Sequence, residues 1–211
     1  MVRAPLAEWM RAEGARAAGK RVLDVGCGVK PYAPFFAGAA AYVGVDVAAN
    51  PAADMEGTVE QLPVEDASYD VVLCTQVLEH VDDPARAVRE LRRVTAPGGR
   101  VLASTHGVQV YHPNPQDLWR WTHAGLERLF RDNADWEDVT VTPAAGTAAC
   151  VGMLLGIYLD LAARRARVAP AGRALVSLLN RGAHALDHRS PRLRDPGPGT
   201  IFANYHVTAQ A

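Results

Sequence analysis

Val22-Leu23-Asp24-Val25-Gly26-Cys27-Gly28 is an apolar strand that breaks on two glycines, and the reading of the whole chain turns on it. Glycines at the end of a buried strand permit turns closed to other residues and let a ligand lie against the backbone. A dinucleotide fingerprint would ask for a third glycine three residues after Gly28, with free amides at a helix start to hold a pyrophosphate. Pro31 stands there instead, and it has no N–H. A nucleoside cofactor without a pyrophosphate is therefore favoured over NAD or FAD. Ala41-Tyr42-Val43-Gly44-Val45-Asp46 reads as the next strand and ends on an acid, where a carboxylate accepts hydrogen bonds from ribose hydroxyls.

Outward from this pair the chain alternates helix and strand. Residues 5 to 18 read as an amphipathic helix before the strand Arg21 to Val25. Tyr69 to Cys74 is apolar and β-branched, as in a parallel strand covered on both faces. Asp83 reads as an N-cap with Pro84 at the first helical position; Val88, Leu91 and Val94 form one face, Gly98-Gly99 stops the helix, and Arg100 to Ser104 is the next strand. A helix is expected from Thr122, burying Leu126, Leu129 and Phe130. Asp138 to Thr142 and Ile201 to Thr208 read as strands that pair antiparallel at the sheet edge. Two helical stretches, 147 to 165 and 172 to 187, lie between them, before a Pro/Gly-rich link from Ser190 to Gly199. The expectation is a doubly wound, Rossmann-like α/β fold: a mostly parallel seven-stranded sheet with an antiparallel edge strand and a helical insert at 147–190 between the last two strands.

The chain of 211 residues has 23 acidic and 22 basic side chains, so no global field draws it to nucleic acid or to an anionic membrane. That length suits one domain, 1–211, carrying the insert as a lid or interface. Only Lys20 and Lys30 are lysines, the remaining basic residues being arginines, a bias typical of GC-rich bacterial genomes. Cys27, Cys74 and Cys150 are far apart and match no zinc spacing, which fits a reducing cytoplasm. The apolar run Thr147 to Leu159 is short of the roughly 20 residues that span a bilayer. For the 147–167 helix, burial against the sheet edge is the first expectation, a lid or homodimer contact the second and membrane contact the third.

Five stretches resemble, in order and spacing, the class I S-adenosylmethionine-dependent methyltransferases, specifically the methyltransferase type 11-like small-molecule group: V-L-D-V-G-C-G, Y-V-G-V-D, E-Q-L-P-V-E-D-A-S-Y-D-V-V-L-C, V-L-E-H-V and L-R-R-V-T-A-P-G-G-R-V-L. The resemblance implies S-adenosyl-L-methionine as cofactor, with Asp24, Gly26, Cys27 (through its backbone) and Gly28 on its methionine and ribose side. It implies Asp46 on the ribose, Val47 on the adenine, and Val59 and Glu60 near the adenine, where Thr58 departs from the family's usual Asp. Gln76 is assigned to the cofactor too. In ubiquinone-type O-methyltransferases a similar Glu-x-x-Glu-His stretch has metal-binding character; here Gln76 replaces the first Glu, a poor hard ligand, so no metal is expected and Glu79-His80 is read as the floor of the site.

The reaction implied is methyl transfer to an oxygen or nitrogen of a small-molecule acceptor in secondary or glycan metabolism. His106, His112 and Asp117, just after the fifth predicted strand, are the candidate bases. Tyr111, Trp119 and Trp121 are candidate walls for the acceptor; alternation along an extended segment points the two tryptophans in different directions. The competing readings are a nicotinamide-dependent oxidoreductase, which Pro31 opposes, and a non-catalytic scaffold, which the intact Asp24, Gly26, Gly28 and Asp46 oppose. Nucleic-acid methylation lacks an Asn/Asp-Pro-Pro-aromatic motif after the fourth strand, where Cys74-Thr75-Gln76 stands.

Overall fold

The structure is a computed structural model and describes residues 3–47, 50–113 and 116–211; Asn114-Pro115, within the loop read for acceptor contacts, lie outside the described residues. Helix α1 (Arg3–Ala15) leads into β1 (Arg21–Val25), then β2 (Ala41–Asp46), β3 (Met55–Glu56), β4 (Tyr69–Thr75), α2 (Pro84–Val94), β5 (Thr95–His106), α3 (His123–Asn133), β6 (Asp138–Pro143), α4 (Thr147–Arg165), α5 (Ala169–Arg189) and β7 (Asn204–Gln210). The strands form one seven-stranded sheet in the order β3-β2-β1-β4-β5-β7-β6. The order reverses beside β1, so a crevice opens beyond the carboxyl ends of β1 and β4. β7 lies antiparallel between β5 and β6, with Val207 opposite both Ala103 and Val141. The predicted antiparallel edge pair and the insert between its strands are both present.

Period-two alternation divides the sheet's side chains between two cores. Val22, Val71, Leu73 and Leu102 face α1, where Leu6 and Met10 cover them. Leu23, Val25, Val72, Cys74, Val101 and Ala103 point to the other face, under Val88 and Leu91 of α2 and Leu126 and Phe130 of α3. Asp83 and Thr122 cap α2 and α3 by accepting the amides of Arg86 and Gly125 at 2.9 and 3.1 Å.

Three expectations need correction. The glycine pair, which the strand-helix alternation reads as a strand-to-helix turn, is followed by no α-helix: a 3-10 turn, Ala33–Phe36, is all that separates it from β2, so no long helix amino terminus faces the crevice. Gly98-Gly99 does not stop α2, because β5 has already begun at Thr95; the glycines shape an irregularity in the β4–β5 pairing, Gly98 at φ +71°. The insert is not buried against the sheet edge. α4 and α5 form an antiparallel hairpin in which Gly146, Gly156 and Gly172 come against Asp187, Val176 and Ala163; an added Cβ would sit 2.3, 3.0 and 2.2 Å from these side chains. Ala149 and Cys150 in α4's first turn are buried, whereas Leu155, Tyr158 and Leu161 beyond it are exposed.

One buried acid ties the hairpin together at its base. Asp187, near the end of α5, accepts the amides of Ala148 and Ala149 at 3.0 and 2.9 Å and so caps α4 from the partner helix. Asp187→Ala should lower unfolding stability by about 1–2 kcal/mol and open the 147–190 segment to protease while cofactor affinity holds. Urea unfolding with limited proteolysis checks this, and an unchanged cleavage pattern would argue against the cap.

Candidate active site

The glycine turn is held by its neighbours before any ligand is considered. Gly26 and Gly28 sit at φ +68° and +52°, in the left-handed region that favours glycine. The amides of Gly26 and Cys27 both donate to the Val45 carbonyl, at 2.8 and 3.1 Å, which fastens the turn to the end of β2. A Cβ on Gly26 would sit 2.4 Å from Val77 Cγ2, whereas one on Gly28 would meet open space. Packing requires the first glycine; the second leaves the backbone accessible. Asp46 completes the frame: one carboxylate oxygen accepts from Gly28 N at 2.8 Å and Asn50 Nδ2 at 2.7 Å, the other from Val47 N at 2.8 Å.

A cavity of about 850 Å³ runs from this turn across the carboxyl ends of β1, β2, β4 and β5. Of the residues assigned to the cofactor, Gly26, Gly28, Asp46, Val47, Val59, Glu60 and Gln76 line it. Asp24 and Cys27 do not. Asp24 is buried beneath the turn, accepts from the Tyr42 hydroxyl at 2.5 Å, and burial pushes its carboxyl up to about 6. Cys27 is buried under Gly44, and its amide is already spent on Val45. Both support the turn from beneath, and neither lines the cavity, although sequence reading put them on its cofactor side. Glu60 lines the wall, but one of its carboxylate oxygens accepts the Asp83 amide at 2.7 Å, at the start of α2. Gln76, at φ +58°, donates to Ser104 Oγ at 3.0 Å and accepts from Asn204 Nδ2 at 3.1 Å, so its amide locks β4, β5 and β7 at the floor.

At the other end, His80, His106 and His112 line the same cavity together with Glu79. Glu79 has no exposed surface; its Oε2 accepts from Thr105 Oγ1 at 2.8 Å, and its Oε1 stands 3.4 Å from His106 Nε2. Burial raises the Glu79 carboxyl to about 7. Burial, with the positive Arg120 nearby, lowers His106 to about 4, so this imidazole is neutral at physiological pH. His80 is fixed differently, for its Nδ1 meets the Gln116 carbonyl. A carbonyl only accepts, so Nδ1 carries the proton and Nε2 keeps its lone pair. The His112 ring lies 5.9 Å from that of His80, centroid to centroid.

The loop that follows β5 is clasped over these residues. Leu118 and Trp119 donate their amides to the Glu79 carbonyl at 2.9 and 3.2 Å, Trp121 N donates to His106 O at 3.0 Å, and Trp119 Nε1 to Val81 O at 2.8 Å. Asp117 is not a base. Both its oxygens are taken by Arg120 at 2.5 Å, one also accepts the His112 amide at 2.7 Å, and the guanidinium holds its carboxyl well below the ordinary range. The tryptophans do not diverge either: they stack at 5.6 Å and 17°, and neither they nor Tyr111, three-quarters exposed, lines the cavity. Successive amides, Leu118 N and Trp119 N, both donate to the Glu79 carbonyl, so the alternation of an extended segment does not hold here. Sequence reasoning put Glu79-His80 at the floor of the site but gave His80 no place among the candidate bases, and it missed Gln116, whose carbonyl sets the His80 tautomer.

Comparison with known proteins agrees with this geometry. A family model described as "Methyltransferase domain" matches residues 2–138. Ubiquinone biosynthesis O-methyltransferase of Sodalis glossinidius is 36% identical over 129 residues, 54% of this chain and 49% of that protein. The protein of the same name from Pseudomonas aeruginosa PAO1 is 38% identical over 109 residues, 44% of this chain and 47% of that one. The chain thus spans about half the length of these curated relatives. Among solved structures, a S-adenosylmethionine-dependent methyltransferase from Mesorhizobium loti superposes at TM-score 0.58 with 16% identity, covering 99% of this chain and 98% of that one. The cyclase SpnF does so at 0.57 with 19% identity, over 97% and 79%. Such likeness establishes the fold and leaves the reaction to the site. The nicotinamide reading finds no support in these matches; S-adenosylmethionine is the cofactor that family and fold imply, and the chain belongs to the methyltransferase-domain family of class I, Rossmann-like fold.

Proposed function

We propose that this chain transfers a methyl group from S-adenosylmethionine to a hydroxyl oxygen of a small, largely apolar acceptor, with His80 taking the hydroxyl proton. The observation that carries the reading is that one cavity holds the Gly28–Asp46 turn at one end and three imidazoles at the other. The residues fit the cofactor: open backbone at Gly28 gives it room, and the Asp46 carboxylate, an acceptor-only group, suits a ribose diol. Val47 and Val59 supply apolar wall for the adenine. When bound, the cofactor supplies a methyl on a sulfonium, already activated for in-line displacement, so the protein has mainly to orient the nucleophile.

Oxygen is favoured over nitrogen because the curated relatives are named O-methyltransferases and because a hydroxyl profits from a nearby base. His80 is preferred to His106 because its free Nε2 follows from the tautomer, whereas His106 is a weak base held near 4 by burial. His112 remains the second candidate, at the exposed lip. Leu6, Val25, Val77 and Val81 in the wall favour an apolar acceptor over the glycan or secondary metabolite expected from sequence. Glu79 contributes through charge: as pH rises through about 7 it becomes a carboxylate, with Oε1 3.4 Å from His106 Nε2.

Asp46→Ala should weaken S-adenosylmethionine binding by more than about tenfold in calorimetry, and wild-type affinity would contradict the ribose assignment. His80→Ala should keep cofactor affinity and lower kcat about 10²-fold. If His112→Ala or His106→Ala does so instead while His80→Ala is neutral, the base is reassigned. Glu79→Gln should remove any change in kcat/KM centred near pH 7, since the carboxylate that forms there is gone; a pH profile identical to wild type would show that the Glu79 charge does not act on the reaction.

A further inference from the structure

From the α4–α5 hairpin we infer a second functional surface: it docks the protein on an anionic lipid bilayer, with one apolar face in the interface and its arginine-rich end among the headgroups. Helical phase carries the argument. Val151, Leu155 and Leu159 recur at four-residue spacing along α4. Leu175, Leu178, Gly182 and Leu186 recur at three and four along α5. In an antiparallel pair held by the Gly156–Val176 and Gly172–Ala163 contacts, these two rows fall on the same side of the hairpin. They are open to solvent, Leu155 at 51% and Leu178 at 62% exposure. The other side carries Asp160, Arg173, Ser177, Asn180, Arg181 and His184, which line a shallow polar groove. The hairpin is therefore amphipathic as a unit, apolar on one side and basic on the other.

Charge selects the occupant. Residues 147–190 hold six arginines against two aspartates, in a chain whose overall charge is −1. Both acids are engaged, Asp187 in capping α4 and Asp160 with Arg164 at 2.6 Å. Arg164, Arg165, Arg167 and Arg173 cluster at the turn between the helices, where they complement a negatively charged surface. A second copy of this hairpin would bring the same arginines to its own interface. By length and composition α4 could cross a bilayer, with mean hydropathy 1.4 over its apolar window. Its packing along α5, with buried Asp187 at its amino end, instead favours a hairpin lying in the interfacial plane. The hairpin adjoins the active site, for Gln109 in the cavity wall touches Met153 of α4, Nε2 to Sδ 3.9 Å.

Flotation of the intact chain with phosphatidylglycerol/phosphatidylcholine vesicles, against phosphatidylcholine alone, tests the docking. The expected result is binding at least about tenfold stronger to the anionic vesicles. Leu155→Asp/Leu178→Asp should lose that binding, and Arg165→Glu/Arg167→Glu should weaken it by a similar factor. Both pairs are exposed, so cofactor affinity by calorimetry should be unchanged and shows that each variant is folded. Absence of flotation, equal binding to both vesicle types, or wild-type binding by the Leu155→Asp/Leu178→Asp variant would overturn the proposal. A dimer in light scattering that the leucine variant dissociates, without flotation, would assign the face to a second copy instead.

Discussion

The contact between Gly26 and Val77 is the constraint on which the site depends. With only 2.4 Å to the position a Cβ would take, the β1 turn and the segment after β4 interlock backbone against side chain. Val77 precedes Glu79 and His80 by two and three residues, so the contact that shapes the glycine turn also sets where the acid and the imidazole begin. The Asp46 carboxylate closes the turn from the opposite side through Gly28, and Val45 accepts the turn's amides from below. Cofactor end and acceptor end are thus two faces of one packed junction.

Much of this was legible in the sequence because it rests on local rules. Alternation and β-branching mark β1, β4 and β6, and Asp83-Pro84 announces α2 as a cap followed by a residue that needs no amide partner. Gly26, Gly28 and Asp46 could be placed because a turn with positive φ and an acid at a strand end leave residue-type signatures. Failures occur where a partner distant in sequence decides the outcome. Asp24 has the same carboxylate as Asp46, yet Tyr42 and burial hold it beneath the turn. Asp117 sits beside histidines in sequence, but Arg120 has taken both its oxygens. Gly98-Gly99 looks like a helix stop and is a sheet irregularity, because Thr95 already pairs with Tyr69.

The insert shows the same limit from the other direction. Its apolar content suggests burial, since sequence alone does not reveal which face of a helix is covered. The glycines at 146, 156 and 172 consume one face of each helix in hairpin packing, and the remaining leucines have no layer of the fold above them. An amphipathic pattern spread over two helices is weaker in each of them than in the pair. Only the phase relation between α4 and α5 sorts leucines from arginines.

Glu79 shows why architecture and chemistry at this site cannot be separated. Its main-chain carbonyl accepts from Leu118 and Trp119, which folds the loop after β5 over the cavity, and its side chain reaches Thr105 on β5. Those bonds and the neighbouring core are what bury it, and burial is what lifts its carboxyl to about 7. The same burial drives His106 the other way, because an imidazole is charged when protonated and a carboxyl when it is not. A single low-dielectric floor therefore leaves a neutral imidazole beside an acid that ionises near physiological pH. His80, partly exposed and fixed by a backbone carbonyl, stands one residue away on the wetter side of that boundary. Desolvation thus drives Glu79 and His106 in opposite directions across a gap of 3.4 Å.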